Sequence, residues 1–203
     1  CNPSDSAEIL IKASQHHNVQ TRRETASSLQ RIASDDFRLA LSLMDTLLAD
    51  KDSDVRVISA TYLASLARSD RHLFIEKAKP ALERSEVRLT KRIVDSAIRE
   101  YLSSDSFDRA GLLPLAWASS DQSTKSKLAG LIIQQSEENY EGFADTCRRF
   151  REIGNDTFSD LKSFILRRDS SMEKRLSKLQ DEEHPVVAPQ SLHFRQVPLR
   201  TIL

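Results

Sequence analysis

Four short stretches of the sequence share one pattern at intervals of 34, 35 and 34 residues, and a fixed interval of that size confines the chain to a stack of similar units. The copies begin at Thr21-Arg22, Val55-Arg56, Thr90-Lys91 and Thr124-Lys125. Four residues past each basic residue stands Ala26, Ala60, Asp95 or Ala129, and three further on Leu29, Leu63, Ile98 or Ile132. Ile32, Leu66 and Tyr101 follow in the first three copies, which close on Asp36, Asp70 and Asp105. Apolar steps of three and four residues trace one face of an α-helix. A helical unit this short cannot bury its apolar surface alone, so it must stack on its neighbours.

Each unit reads as two helices. In the second, Phe37, Ala40, Leu41, Met44, Leu47 and Leu48 mark one face of a helix over residues 37–49. Asp50-Lys51-Asp52-Ser53-Asp54 follows, a run suited to turning the chain and accepting N–H bonds at a helix start. Val55, Ala60, Leu63, Leu66 and Ala67 then line a second helix that stops near Ser69-Asp70. The first unit uses 6–17 and 19–33, the third 73–84 and 87–102, and the fourth 107–118 and 123–135. A fifth pair over 143–153 and 157–167 keeps the helical period and loses the columns. Pro80 and Pro114 both stand eleven residues before their unit's basic residue, which predicts bent first helices. Past Arg168, Asp169-Ser170-Ser171 is expected to cap a short terminal helix with Met172, Leu176 and Leu179 on one face.

Asp52-Ser53-Asp54-Val55-Arg56, with Ala60 and Leu63, resembles a HEAT-type repeat, and the likeness runs over roughly residues 6 to 135. That resemblance implies an all-α fold, a right-handed α–α superhelix (a HEAT-like solenoid) of about five helical pairs. The interval also suits tetratricopeptide repeats, but their Trp, Gly and Tyr columns are not met here. The expected organisation is an N-terminal tether over 1–5, helical repeats over 6–168, a capping helix over 169–183 and an extended apolar tail over 184–203. The tail carries Pro185, Pro189 and Pro198 among Val186, Val187, Leu192, Phe194 and Ile202, and should lie along a surface.

Thirty basic residues balance thirty acidic ones, so no overall field draws the chain to nucleic acid or an anionic membrane. The column Arg22, Arg56, Lys91 and Lys125 has two readings. It can bridge to acidic turn residues as a ladder, with Asp52 and Asp54 near Arg56, or it can track phosphates. The preferred expectation is a non-catalytic scaffold or adaptor that binds another protein and acts in complex assembly. Second-helix residues off the packing columns, Arg23, Ile58, Tyr62 and Arg92, are its candidate binding surface. The alternative is a cytoplasmic nucleic-acid-binding solenoid that uses the basic column. No glycine-rich phosphate loop, nucleophile–base set or small-molecule site is evident, so neither enzyme activity nor a cofactor is expected. His16 and His17 project about 100° apart if helical and make no metal pair. Trp117 and Cys147 are expected in the core, the latter between Phe143 and Phe150.

Cys1-Asn2-Pro3-Ser4-Asp5-Ser6 resembles the acylated start of a mature bacterial lipoprotein followed by a polar tether. The resemblance implies lipidation at Cys1 and membrane anchorage in the bacterial cell envelope; otherwise the chain is expected in the cytoplasm. No run of the sequence is long and apolar enough to cross a bilayer as a helix.

Overall fold

The computed structural model describes residues 3–103, 108 and 110–183; Cys1, Asp105 and the expected tail over 184–203 lie outside the described residues. All regular structure within them is helical. The chain runs through α1 (Pro3–Ser14), α2 (Val19–Ser27), α3 (Leu29–Asp35) and α4 (Phe37–Leu48). Next, α5 (Ser53–Ser59) passes through a 3-10 turn (Ala60–Tyr62) into α6 (Leu63–Ser69), followed by α7 (Arg71–Glu83). Then α8 (Val87–Ile93) continues as a π-helical segment (Val94–Ile98) into α9 (Arg99–Ser103). Last come α10 (Leu112–Ala118), α11 (Gln122–Glu138), α12 (Tyr140–Ile153), α13 (Asn155–Arg168), a 3-10 turn (Ser170–Met172) and α14 (Glu173–Glu183).

Packing follows chain order. α1 lies on α4, α7 on α10, and α10 on α12, while α2 lies on α5, α5 on α8, α9 on α11, and α11 on α13. The repeated apolar columns face inward: Leu29, Leu63, Ile98 and Ile132 are all buried, as are Ile32, Leu66 and Tyr101. Met172, Leu176 and Leu179 of the terminal turn and helix close the same core, as their spacing predicts. Trp117 is buried and meets Phe150 and Phe164 edge-on, with ring centroids 5.6 and 5.2 Å away. Cys147 is buried beside them in α12.

One residue joins several consecutive helices. Asp36 ends α3 and starts α4, Asp70 does so between α6 and α7, and Asn139 between α11 and α12. Their φ values are −145°, −149° and −150°, extended backbone that breaks one helix and aims the next. Each N–H bonds back to the preceding helix: Asp36 to the Ile32 carbonyl at 2.7 Å, Asp70 to Leu66 at 2.8 Å, Asn139 to Gln135 at 2.7 Å. Each side-chain oxygen in turn accepts an N–H of the new helix, from Leu39, Leu73 and Gly142, all at 3.0 Å. Donors orphaned at a helix start are thereby satisfied without a loop.

The third unit departs from the simple register. Its extra residue sits inside the second helix, as the π-helical Val94–Ile98, and not in the turn before it. Upstream of that segment the interval is still 34 residues, so Leu89 and Ile93 are buried, Thr90 takes the place of Arg56, and Lys91 and Asp95 face out. Downstream the interval is 35, which returns Ile98 and Tyr101 to the core. A π turn is the standard way for a helix to absorb one added residue.

Three other expectations are corrected. Phe37 is 41% exposed, because it is the first residue of α4 and precedes the face that Ala40, Leu43, Met44 and Leu47 bury. α10 begins at Leu112 instead of residue 107, behind Gly111, whose φ of 69° suits a residue without a side chain. Pro114 therefore lies in a first turn, where no intrahelical N–H is needed, while Pro80 lies inside α7; the two prolines do not share a bend. Ahead of α10 the buried Asp108 accepts the Tyr101 hydroxyl at 2.8 Å and the N–H groups of Leu112 and Leu113 at 2.9 and 2.8 Å. Burial raises the Asp108 carboxyl above its ordinary value despite those donors.

Asp70→Ala removes the acceptor for the Leu73 N–H while leaving the core intact. Denaturant melts should show a loss of about 1 kcal/mol, and Asp70→Asn should recover most of it.

Candidate functional site

At the turns between first and second helices, guanidinium groups tie one unit to the next. Arg22 is buried and forms a two-point pair with Asp50, Nε to Oδ2 at 2.6 Å and Nη2 to Oδ1 at 3.0 Å. Its Nη1 also donates to the carbonyls of His16 and His17, in the turn after its own unit's first helix. Arg56 repeats the scheme: Nη1 donates to the Asp50 carbonyl and Nε to Glu86 at 2.7 Å. Thr90, the spatial counterpart, shares a buried 2.8 Å hydrogen bond with Ser119. Lys125 donates to Asp160 at 2.7 Å, and Asp160 also takes the Trp117 indole N–H at 3.0 Å.

The basic column is thus a ladder at Arg22, Arg56 and Lys125. Lys91 is the exception: it is exposed and makes no ion pair among the described residues, because the π segment after it leaves Thr90 in the inward phase. Asp52 and Asp54 do not compete for Arg56. Both pair with Arg23, at 3.2 and 2.7 Å, and Asp54 also pairs with Arg88 at 2.7 Å. Sequence proximity is a poor guide there, since the partner of each cation lies on an adjacent layer about thirty residues away.

Burial by itself would raise the Asp50 carboxyl, but the Arg22 hydrogen bond, the Asp52 N–H and the Arg22 charge outweigh it and hold Asp50 below its ordinary range. Asp160 is lowered in the same way, burial opposing and the Lys125 and Trp117 hydrogen bonds prevailing. Reciprocally, the hydrogen bond to Asp50 raises the Arg22 guanidinium.

The second helices offer a different surface. Five residues past Arg22, Arg56, Lys91 and Lys125 stand Ser27, Thr61, Ser96 and Gly130, all small, and grooves open beside them. One groove of about 510 Å³ runs between α2–α3 and α5–α6, touched by Ser27, Thr61 and Ser96 and floored by Ile58 and Ala64. A second, of about 560 Å³, continues past Ala33 to the exposed Phe37. The Ser65 hydroxyl donates to Gln30 Oε1 at 2.6 Å across both. A third groove of about 370 Å³ lies over Gly130, between the π segment and α11.

The four expected binding residues fare differently on this surface. Arg92 is exposed on α8 with no side-chain partner among the described residues. Ile58 is half-buried in the floor of the first groove. Tyr62, in the 3-10 turn, is only 6% exposed yet lines the first and second grooves, and burial raises its phenol. Arg23 is half-buried, with its guanidinium engaged by Asp52 and Asp54. The small column was missed in the sequence, although the same register that revealed the basic column contains it.

Among the described residues no group of three His, Cys, Asp or Glu could hold a metal ion. His16 and His17 sit in the turn after α1, where His16 Nδ1 accepts the Asn18 N–H at 3.1 Å. No helix of the described residues is long and apolar enough to cross a membrane. Compared with family models, curated proteins and solved structures, the chain matches none.

The Arg22–Asp50 pair has side chains only 5% and 6% exposed. Asp50→Ala strands a buried guanidinium and should cost about 3–5 kcal/mol, whereas Arg22→Met with Asp50→Leu should cost far less. With Asp50 and Asp160 depressed in the fold, their contribution is present above the unfolded carboxylate range and is lost as pH falls through the folded values. Urea titrations across acid pH should show that slope flattened in Asp160→Asn.

Proposed function

We propose that this chain is a HEAT-like helical-repeat scaffold, a right-handed stack of about five helical pairs, that docks another protein along its second helices. One observation carries the reading: the column of small residues Ser27, Thr61, Ser96 and Gly130 recesses that face into consecutive grooves. A shallow track with an apolar floor and a polar rim suits side chains of a partner. The stack beneath it is held at both edges, by Asx joints and by the ladder, so the face is presented in fixed form. Preorganisation of this kind lowers the entropic cost of binding.

The nucleic-acid alternative needs a free basic column, yet carboxylates hold Arg22, Arg56 and Lys125. Anchorage through an acylated Cys1 is a separable part of the proposal and would set where the scaffold works without altering the docking face.

Photo-crosslinking residues placed at Thr61 and Ser96 should give discrete protein adducts in the native cell. The same groups at Arg38 and Lys79, exposed on α4 and α7, should give few. Equal labelling from both sets, or none from the second helices, would overturn the docking face.

A further inference from the structure

The groove over Gly130 differs from the others in charge. Arg99, Lys127 and Arg168 line it against a single acid, Asp95. Asp95 is already matched, since Lys127 donates to it at 2.6 Å. Arg99 has no side-chain partner among the described residues, and Arg168 donates only to Ser126, its carbonyl at 3.3 Å and its hydroxyl at 3.5 Å. Two guanidinium groups therefore face one cavity with no carboxylate of their own among the described residues.

Gly130 fixes the second of them. A Cβ built there would stand 3.0 Å from Arg168 Cζ and 3.2 Å from its Nε and Nη2. The guanidinium therefore lies against the backbone of α11, so close that a Cβ at residue 130 would push it aside by a few tenths of an ångström. An arginine laid flat this way keeps donors directed outward and has less rotamer freedom left to lose on binding. Val94 and Leu131 give the cavity an apolar wall beside the charges.

We propose that this groove receives an acidic segment of the partner protein, an Asp- or Glu-bearing stretch with an aliphatic neighbour, its carboxylate shared by Arg99 and Arg168. The inference rests on the docking face above and names the partner chemistry at one place on it. Charge complementarity selects the occupant: two unmatched guanidinium groups suit a carboxylate pairwise. A continuous polyanion fits worse, because Glu100 and Glu138 line the adjoining cavity with Arg99 and would repel the next phosphates.

The test uses the full chain and a fluorescent peptide of about a dozen residues alternating Glu with Leu, read by anisotropy. The acidic peptide should bind more tightly than its Gln counterpart. Arg99→Ala with Arg168→Ala should weaken it by about tenfold or more. Gly130→Ala keeps every charge and favours the helix, yet displaces Arg168, and should also weaken binding several-fold. Arg31→Ala, exposed on α3, should leave it unchanged. Circular dichroism of each variant guards against misfolding.

Equal affinity for the Gln peptide, or indifference to the double variant and to Gly130→Ala, would overturn the acidic-segment assignment. Displacement by inorganic polyphosphate at lower concentration than by the free acidic peptide would overturn it in favour of a phosphate ligand. Crosslinks from Ser96 that persist undiminished in the double variant would sink this assignment alone and leave the docking face standing.

Discussion

A single aspartate or asparagine between consecutive helices governs how the units of this protein follow one another. At Asp36, Asp70 and Asn139 the backbone amide completes the last turn of one helix while the side chain caps the first turn of the next. With no loop to absorb angular error, one extended residue sets the crossing of the two helices. That crossing brings the apolar columns of successive units into line, and the core follows as a consequence. A longer connection would satisfy the same hydrogen bonds but would leave the angle between units to side-chain packing alone.

Charge holds the opposite edge at Arg22, Arg56 and Lys125. Arg22 and Arg56 each bind a carbonyl in the turn after their own first helix and a carboxylate belonging to the next unit, so one guanidinium fixes two turns at once. Five donors in a planar fork make arginine suited to this; a lysine offers a point charge without the fork. Lys125 accordingly reaches a single carboxylate, and that carboxylate gains its further order from the Trp117 indole. Where the third unit places Thr90, the link is a neutral hydrogen bond inside the core, which needs no charge to be desolvated.

Much of this was legible in the sequence. The apolar columns, Asp36 and Asp70 at their joints, the terminal helix with Met172, Leu176 and Leu179, and the burial of Trp117 and Cys147 all follow from spacing and residue type. The phase of the third unit did not. Periodicity counts residues between landmarks, and a 35-residue interval is the same whether its extra residue lies in a turn or in a π segment. That one ambiguity misplaced Lys91, which the structure turns outward. Ion-pair partners were illegible for a related reason: Arg23, Arg56 and Arg88 choose carboxylates by layer, and layers are not adjacent in sequence. The grooves were hidden because Ser27, Thr61, Ser96 and Gly130 have little in common except small size, which only the packed helices turn into an open surface.

The ladder and the second-helix face put cations to two different uses. Those at the turns are neutralised within the stack and add little field beyond it, since each charge is met by its own carboxylate at contact distance. Beside Gly130, Lys127 is met by Asp95 while Arg99 and Arg168 pair with no carboxylate among the described residues, a local surplus in a chain that carries thirty charges of each sign. A balanced molecule exerts little long-range steering, so selection on this face has to occur at contact, through desolvated pairs and the shape of the recess. Rigidity along the stack then matters more than net charge. The proposed selection of a carboxylate by Arg168 requires α11 and α13 to hold their spacing, and the core that fixes that spacing runs without interruption from the first columns to the terminal helix.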